Sequence, residues 1–299
     1  MSDGTESGTV RVRDIYIGSG GSSPSYLCNV NGTLFFSAYE SLAVGRELWK
    51  AVPSASGFTA SRVKDIGSGD AWGDPQYLTK STDTLFFTAT GDSKGRELWK
   101  SNGAEWSTQI VKDIILGNVG SDPLQLTDVN GMLFFSARDS SDDRELWKSN
   151  GTESGTVRVK DINTSGDSDP TRLINNGGIL FFSAMGSHGN ELYKSNGTDS
   201  GTVLVKDIDQ GGNSAPEWPA VVNGTVFFSA HELDHGRELW KSDGTDEGTV
   251  MVRDIHPSSD SNPEQLTNCG GLLFFTATDG ATGRELWMSN GTAEKTRLV

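Results

Sequence analysis

Apolar residues come in short runs bounded by Gly, Asn, Asp and Pro, and the runs recur in a fixed order along the chain. An apolar pair inside Leu-Phe-Phe-Ser-Ala is followed by Arg-Glu-Leu-Trp-Lys, then Asn/Asp-Gly-Thr, then Val-Lys-Asp-Ile. The Phe pairs fall at Phe35-Phe36, Phe86-Phe87, Phe134-Phe135, Phe181-Phe182, Phe227-Phe228 and Phe274-Phe275. The Asp of the Asp-Ile step recurs at Asp14, Asp65, Asp113, Asp161, Asp207 and Asp254, at spacings of 51, 48, 48, 46 and 47. A period of that length assembled from short strands marks a propeller blade.

The stretch from Asp122 to Ile162 shows how one blade is built. Pro123 opens an extended run, PLQLTDV, where Pro is tolerated as a first strand residue. Asn130-Gly131 follows, the preferred hairpin pair because both positions accept positive φ. The second strand, MLFFSA, carries Phe on both faces, which suits a sheet packed between two others. A variable loop, RDSSDD, leads to a third strand, RELWKS. Asn150-Gly151-Thr152 turns the chain again, and GTVRVKDI, with β-branched residues in alternation, predicts a fourth strand. Six such repeats predict one all-β domain over residues 1–299, a six-bladed propeller.

Closing the ring needs a pairing between the two ends. Residues 8–15 supply a fourth strand with no first three before it, and residues 264–288 supply three strands of a sixth blade. The expectation is that residues 1–15 close blade six and remove its sheet edge. Val10, Val12 and Ile15 match the repeat better than Thr296 to Val299 do. Residues 291–299 are then a surplus strand or tail, free to pair with another molecule. A monomer is expected, with a dimer through that strand as the alternative.

Composition narrows the partners. A net charge of −15 repels phosphate backbones, so nucleic acid is not expected as a ligand. No stretch approaches the roughly 20 apolar residues of a membrane helix, and no membrane insertion is expected. The opening reads as a repeat motif, SDGTESGTVRVRDI, close to SNGTESGTVRVKDI at 149–162. It does not read as a charged-then-apolar leader. Two locations follow: the cytoplasm for a complete chain, or the cell surface or exterior for part of a larger protein.

Residues repeated in every blade read as structure. Trp49, Trp99, Trp147, Trp240 and Trp287, with Tyr193 in the fourth copy, are expected between blades, although such rings also stack on sugars. Glu47, Glu97, Glu145, Glu191, Glu238 and Glu285 in the third strand face Arg13, Lys64, Lys112, Lys160, Lys206 and Arg253 in the fourth, predicting cross-strand ion pairs. Since no Glu differs from its copies, no catalytic carboxylate stands out.

Departures from the repeat carry the candidate chemistry. Trp72, Trp106 and Trp218 lie outside it and are candidate ligand contacts. His188, His231, His235 and His256 map to the loops that vary most between copies, where a rigid scaffold places binding. Of these, His188, His235 and His256 join the candidate ligand residues. Asp161, Asp167 and Asp169 form the densest acidic loop and could supply oxygens to calcium, though Asp and Asn also serve turns directly. Cys28 and Cys269 lie in first strands of blades one and six, and the expectation is two buried free thiols, with a disulfide across the seam as the alternative. Asn31, Asn150, Asn196, Asn223 and Asn290 are formal glycosylation sequons whose turn role already explains them.

The recurring ELWKSNGT/ELWKSDGT with GTVxVKDI resembles the ELWxxDGT repeat family of bacterial surface and secreted proteins. The resemblance rests on Glu97-Trp99-Asn102-Gly103, Glu145-Trp147-Asn150-Gly151, Glu238-Trp240-Asp243-Gly244 and Glu285-Trp287-Asn290-Gly291. It departs at Tyr193, at Ala104, and between Ala51 and Phe58, where the Asp-Gly-Thr turn is missing. It implies an extracellular bacterial propeller and carries no settled chemistry. The function expected is a non-enzymatic binding module or scaffold that takes carbohydrate or protein on variable loops, without a cofactor. The alternatives are a calcium-dependent propeller hydrolase with its ion in the central channel, and a purely structural or engineered array.

Overall fold

The computed structural model describes residues 1–55, 57–67 and 72–299. Among them the strands assort into six sheets of four antiparallel strands, each in chain order. The chain is all-β, and its sheets are the blades of a six-bladed propeller. In blade three the strands are Leu124–Val129, Met132–Arg138, Arg144–Ser149 and Val157–Lys160, within two residues of those predicted. The chain divides into two compact units, residues 1–142 with 148–157 and residues 143–147 with 158–299.

The Phe pair explains how blades stack. In the first unit, Phe35 of blade one packs with Leu48, Val63 and Ile66 against Leu85, Phe87 and Trp99 of blade two. In the second unit, Phe181, Leu192, Val205 and Ile208 of blade four meet Val226, Phe228 and Trp240 of blade five. In blades one, four and five the first Phe (Phe35, Phe181, Phe227) therefore faces the following blade, whose second Phe (Phe87, Phe228, Phe275) faces back. Each such ring taken fully from water contributes about 2–3 kcal/mol.

The turn between third and fourth strands is a closed hydroxyl network. Ser149 Oγ lies 2.7 Å from Thr156 Oγ1, Gly151 N–H donates to Ser149 Oγ, and Thr152 N–H donates to Asn150 Oδ1. Gly151, at φ +84°, approaches the Phe86 ring of the preceding blade so closely that an added Cβ would lie 3.1 Å from it. Its carbonyl accepts from Lys100 Nζ at 2.7 Å.

Two expectations are corrected here. The fourth strand of blade six is Arg297–Leu298, paired with Met288 and Trp287, and residues 1–15 form no strand. The C-terminal residues are therefore the strand that completes the sheet, not a surplus. Ser289 and Thr296 build the same hydroxyl turn, 2.8 Å apart, and deliver residues 297–299 beside a strand already in place. A short hairpin loop costs far less closure entropy than joining the two ends of the chain. The N-terminal segment instead lies on blade one, with Ile15 buried against Phe36, Trp49 and Ala60. Arg13 donates to the Ala60 carbonyl at 2.8 Å and covers the Trp49 ring.

The repeated Glu and Lys find partners other than the cross-strand pairs predicted. Lys64, Lys112, Lys160 and Arg253 reach forward to the carbonyls of Thr108, Thr156, Thr202 and Thr296 in the next blade. Each buried Glu accepts from the linker leaving its own blade. Glu238 takes Ile255 N–H at 2.8 Å, Ser261 N–H at 3.0 Å and Ser261 Oγ–H at 2.6 Å. Glu191 repeats this with Ile208 and Ser214, and Glu47 with Ile66 and Gly73. The linker leaves several backbone donors without sheet partners, and a carboxylate satisfies more of them than an ion pair with lysine would.

Candidate functional site

The first strand of every blade opens on a Pro flanked by two residues in left-handed backbone. Ser23, Asp74, Asp122, Asp169, Ala215 and Asn262 precede the Pro at φ between 41° and 48°. Tyr26, Tyr77, Gln125, Arg172, Trp218 and Gln265 follow two residues later at φ between 53° and 59°. The second set sits in a β-bulge, where the pairing of first and second strands slips. Bulges of this kind re-aim side chains and cluster near binding sites. Positive φ at a residue bearing a Cβ costs of order 1 kcal/mol or more. The fold holds that strain with the Arg of the third strand. Arg46, Arg96, Arg237 and Arg284 donate to the carbonyls of Ser23, Asp74, Ala215 and Asn262 at 2.9–3.0 Å.

The backbone at these positions repeats while the side chain changes. In the first unit, Tyr26 and Tyr77 bring their rings to 5.6 Å. Behind them Asp74 joins Arg96 at 2.8 Å, Arg46 at 3.9 Å and Gln76 at 2.5 Å. Burial raises the Tyr26 hydroxyl pKa, the neighbouring Tyr77 and Asp74 raise it further, and Arg96 and Arg46 pull against them. In the second unit, the Arg172 guanidinium lies 5.7 Å over the Trp218 ring and 3.5 Å from the Glu217 carboxylate. Each unit thus presents an exposed aromatic face beside hydrogen-bonding groups fixed by an ion-pair network.

The candidate residues from sequence separate on the structure. Trp218, 37% exposed, occupies the repeated bulge and is no departure. Trp72 lies in the linker before blade two, 49% exposed and edge-on to Tyr39, which stacks on Tyr16. Trp106 is 80% exposed on a short helical turn, Glu105–Ser107. The histidines do not converge: His188 pairs with Asp207 at 3.0 Å, His231 with Asp209 at 3.1 Å and His235 with Glu232 at 2.6 Å. His256 stands apart from them, against Gly280. The Glu232 hydrogen bond raises the His235 pKa.

The acidic loop is likewise dispersed. Asp161 faces Arg158, Asp167 accepts from the Arg144 backbone N–H, and Asp169 faces the Arg144 guanidinium. Among the described residues no three His, Cys, Asp or Glu side chains gather as a metal site. The repeated Trp49, Trp99, Trp147, Trp240, Trp287 and Tyr193 are buried, Trp99, Trp240 and Trp287 against the preceding blade and Trp49 under the N-terminal segment. Cys28 and Cys269 are free thiols, the first half-buried and the second exposed rather than buried as expected. No described helix is long and apolar enough to cross a membrane.

No protein-family model and no curated protein matches this chain. Solved structures do. A puromycin hydrolase mutant in complex with PGG aligns over 94% of this chain and 53% of that one, at 12% identity and a TM-score of 0.51. A structure from a mechanistic study of two prolyl endopeptidases aligns over 92% of this chain and 40% of that one, at 10% identity and a TM-score of 0.54. The chain spans about half or less of the proteins it matches. At these identities the likeness shows the fold alone, and that fold is the propeller of propeller-containing hydrolases.

Proposed function

We propose that this chain is a non-enzymatic binding module whose bulge residues take carbohydrate. The observation that carries the reading is the Tyr26–Tyr77 pair, two rings presented by strained backbone above the Arg46–Asp74–Arg96 network. Aromatic faces cover the apolar side of a sugar ring, and fixed donors and acceptors beside them orient its hydroxyls. The resemblance to surface repeat proteins fits a module working outside the cell as part of a larger protein. The test is a glycan array followed by calorimetry on the strongest ligand. Replacing Tyr26 and Tyr77 with Ala removes two stacking contacts of about 1 kcal/mol each. Affinity should then fall about thirty-fold. A silent array, or unchanged affinity in the double variant, refutes the reading.

A second reading is a propeller hydrolase, since a puromycin hydrolase and a prolyl endopeptidase share the fold; its dependence on calcium is a separate proposal that rests on the acidic loops of the sequence. It predicts turnover of an ester or peptide that stops on addition of a chelator. Turnover unaffected by chelator would remove calcium from that reading, and no turnover at all would remove the reading itself.

A further inference from the structure

Blade two departs from its siblings at two positions that meet in space. In the turn between third and fourth strands, blades three to six carry Ser154, Ser200, Glu247 and Glu294 where blade two carries Trp106. Blades three to five open their fourth strand on Val157, Val203 and Val250, whereas blade two opens on Gln109. Trp106 and Gln109 line one open pocket of about 350 Å³, together with Thr84, Lys100 and Asn102. The corresponding pocket of blade four has Ser200 and Val203 in their places, and Ile179 in place of Thr84. Small-molecule sites span about 300–1,000 Å³, so the volume suits a ligand of modest size.

The pocket is built from the first unit alone. Blade one packs on one side of blade two, and on the other side Gly151, in the 148–157 hairpin of the same unit, lies against Phe86. Tyr77 lies near the start of the first strand, Gln76–Ser81, whereas Thr84 follows its other end. The groups around the indole are held in place with hydrogen-bonding capacity to spare. Lys100 Nζ is anchored by its 2.7 Å bond to the Gly151 carbonyl and keeps two N–H donors. Asn102 Oδ1 accepts from Ala104 N–H at 3.1 Å and from the Ser107 hydroxyl, which fixes the amide and leaves its NH2 to donate. Among the described residues, neither the Thr84 hydroxyl nor the Gln109 side-chain amide has a hydrogen-bond partner. The turn that carries Trp106 is tied down by Thr108, whose N–H and Oγ1–H donate to the Glu105 and Ala104 carbonyls.

We propose that this pocket binds a pyranose sugar, separately from the Tyr26–Tyr77 surface at the other end of the blades. A pyranose has an apolar C–H face and a rim of hydroxyls. The exposed face of Trp106 covers the first, as aromatic rings do, and Lys100, Asn102, Gln109 and Thr84 receive the second. An indole beside valine would only add apolar surface facing water. An indole beside an unspent amide, in one pocket, presents both halves of what a sugar needs.

The test is a nuclear magnetic resonance titration of the full, isotope-labelled chain carrying Tyr26→Ala and Tyr77→Ala, so that the other surface contributes nothing. The probes are the methyl glycosides of glucose, galactose, mannose and N-acetylglucosamine. With at least one of them, the Trp106 indole N–H and the backbone amides of Asn102 and Gln109 should shift together and saturate at one dissociation constant. Trp106→Ser and Gln109→Val restore the residues that blade four already carries, Ser200 and Val203, so each variant should keep its fold. Each should weaken binding about five-fold, followed at the remaining resonances. No shift with any of these sugars overturns the proposal. A shift of the indole that leaves Asn102 and Gln109 unmoved, or unchanged affinity in either variant, does the same. Since the Tyr pair is absent throughout, these outcomes leave the Tyr26–Tyr77 reading to its own test.

Discussion

Replacing Glu97 with Ala isolates the contact that joins a blade to its outgoing linker. The carboxyl is fully buried and accepts from Ser121 N–H at 2.9 Å and Ser121 Oγ–H at 2.5 Å, with Ile115 N–H further off at 3.5 Å. Truncation leaves two well-placed donors in a dry site. Hydrogen bonds to a charged group are worth about 1.5–3 kcal/mol each, and stranded donors keep their full desolvation cost. The loss of stability should therefore be about 3–5 kcal/mol, read from the urea midpoint and slope. Glu285→Ala is the matched control, because that side chain is exposed and no hydrogen bond to its carboxylate is found among the described residues. It should cost less than about 0.5 kcal/mol. Amide exchange should speed up between residues 114 and 121 in the Glu97 variant and stay slow in the distant blades. Equal losses in the two variants, or exchange quickened everywhere alike, would refute the account of Glu97 as a linker clamp.

Burial pushes the Glu47 and Glu97 carboxyls up to about 7, against the pull of their donors. The folded chain then holds these protons more tightly than the unfolded chain. Their contribution is complete below about 4.5 and is lost as pH rises through 7, by up to about 3 kcal/mol for each. Thermal melts should fall across that window and flatten in Glu97→Gln; stability that rises with pH would contradict this. Lys100→Met removes the 2.7 Å bond to the Gly151 carbonyl and should cost about 1 kcal/mol by urea titration. Gly95→Ala should cost more than about 2 kcal/mol, since φ is +64° and the new Cβ would fall 2.3 Å from the Gly120 backbone nitrogen. A melting temperature within a degree of wild type would show that this crossing of loops yields easily.

Much of the blade is legible from residue pattern because strand, turn and inter-sheet packing each leave a local signature. Phe134-Phe135 announces a sheet buried on both faces, and Asn130-Gly131 announces the hairpin. The partners of Glu and Lys are misread because the true partners are backbone groups, which carry no letter. The usable signal lies in spacing: a Ser stands six residues after Ile162, Ile208 and Ile255 and supplies two of the donors. The bulge positions are hidden for a different reason. Tyr26, Gln125, Arg172 and Trp218 share a backbone conformation but no side-chain property, so Trp218 reads as an irregularity. The Pro two residues earlier marks the position in every blade. The C-terminal fourth strand of blade six has a signal that composition hides: Ser289 and Thr296 repeat the spacing of Ser149 and Thr156, which close the same turn.

The bulges also bear on how such a chain can diversify. At Tyr26, Tyr77, Gln125, Arg172, Trp218 and Gln265 the backbone is held from outside, by Pro, by the slipped register and, in at least four blades, by an Arg gripping the preceding turn. The side chain at each position does little to hold its own loop. Its replacement can alter what the surface recognises while the scaffold keeps its stability. Duplication of blades supplies several such addresses at once, and each can drift independently. Selection for a new ligand and selection for foldability then act on separate letters of the same repeat.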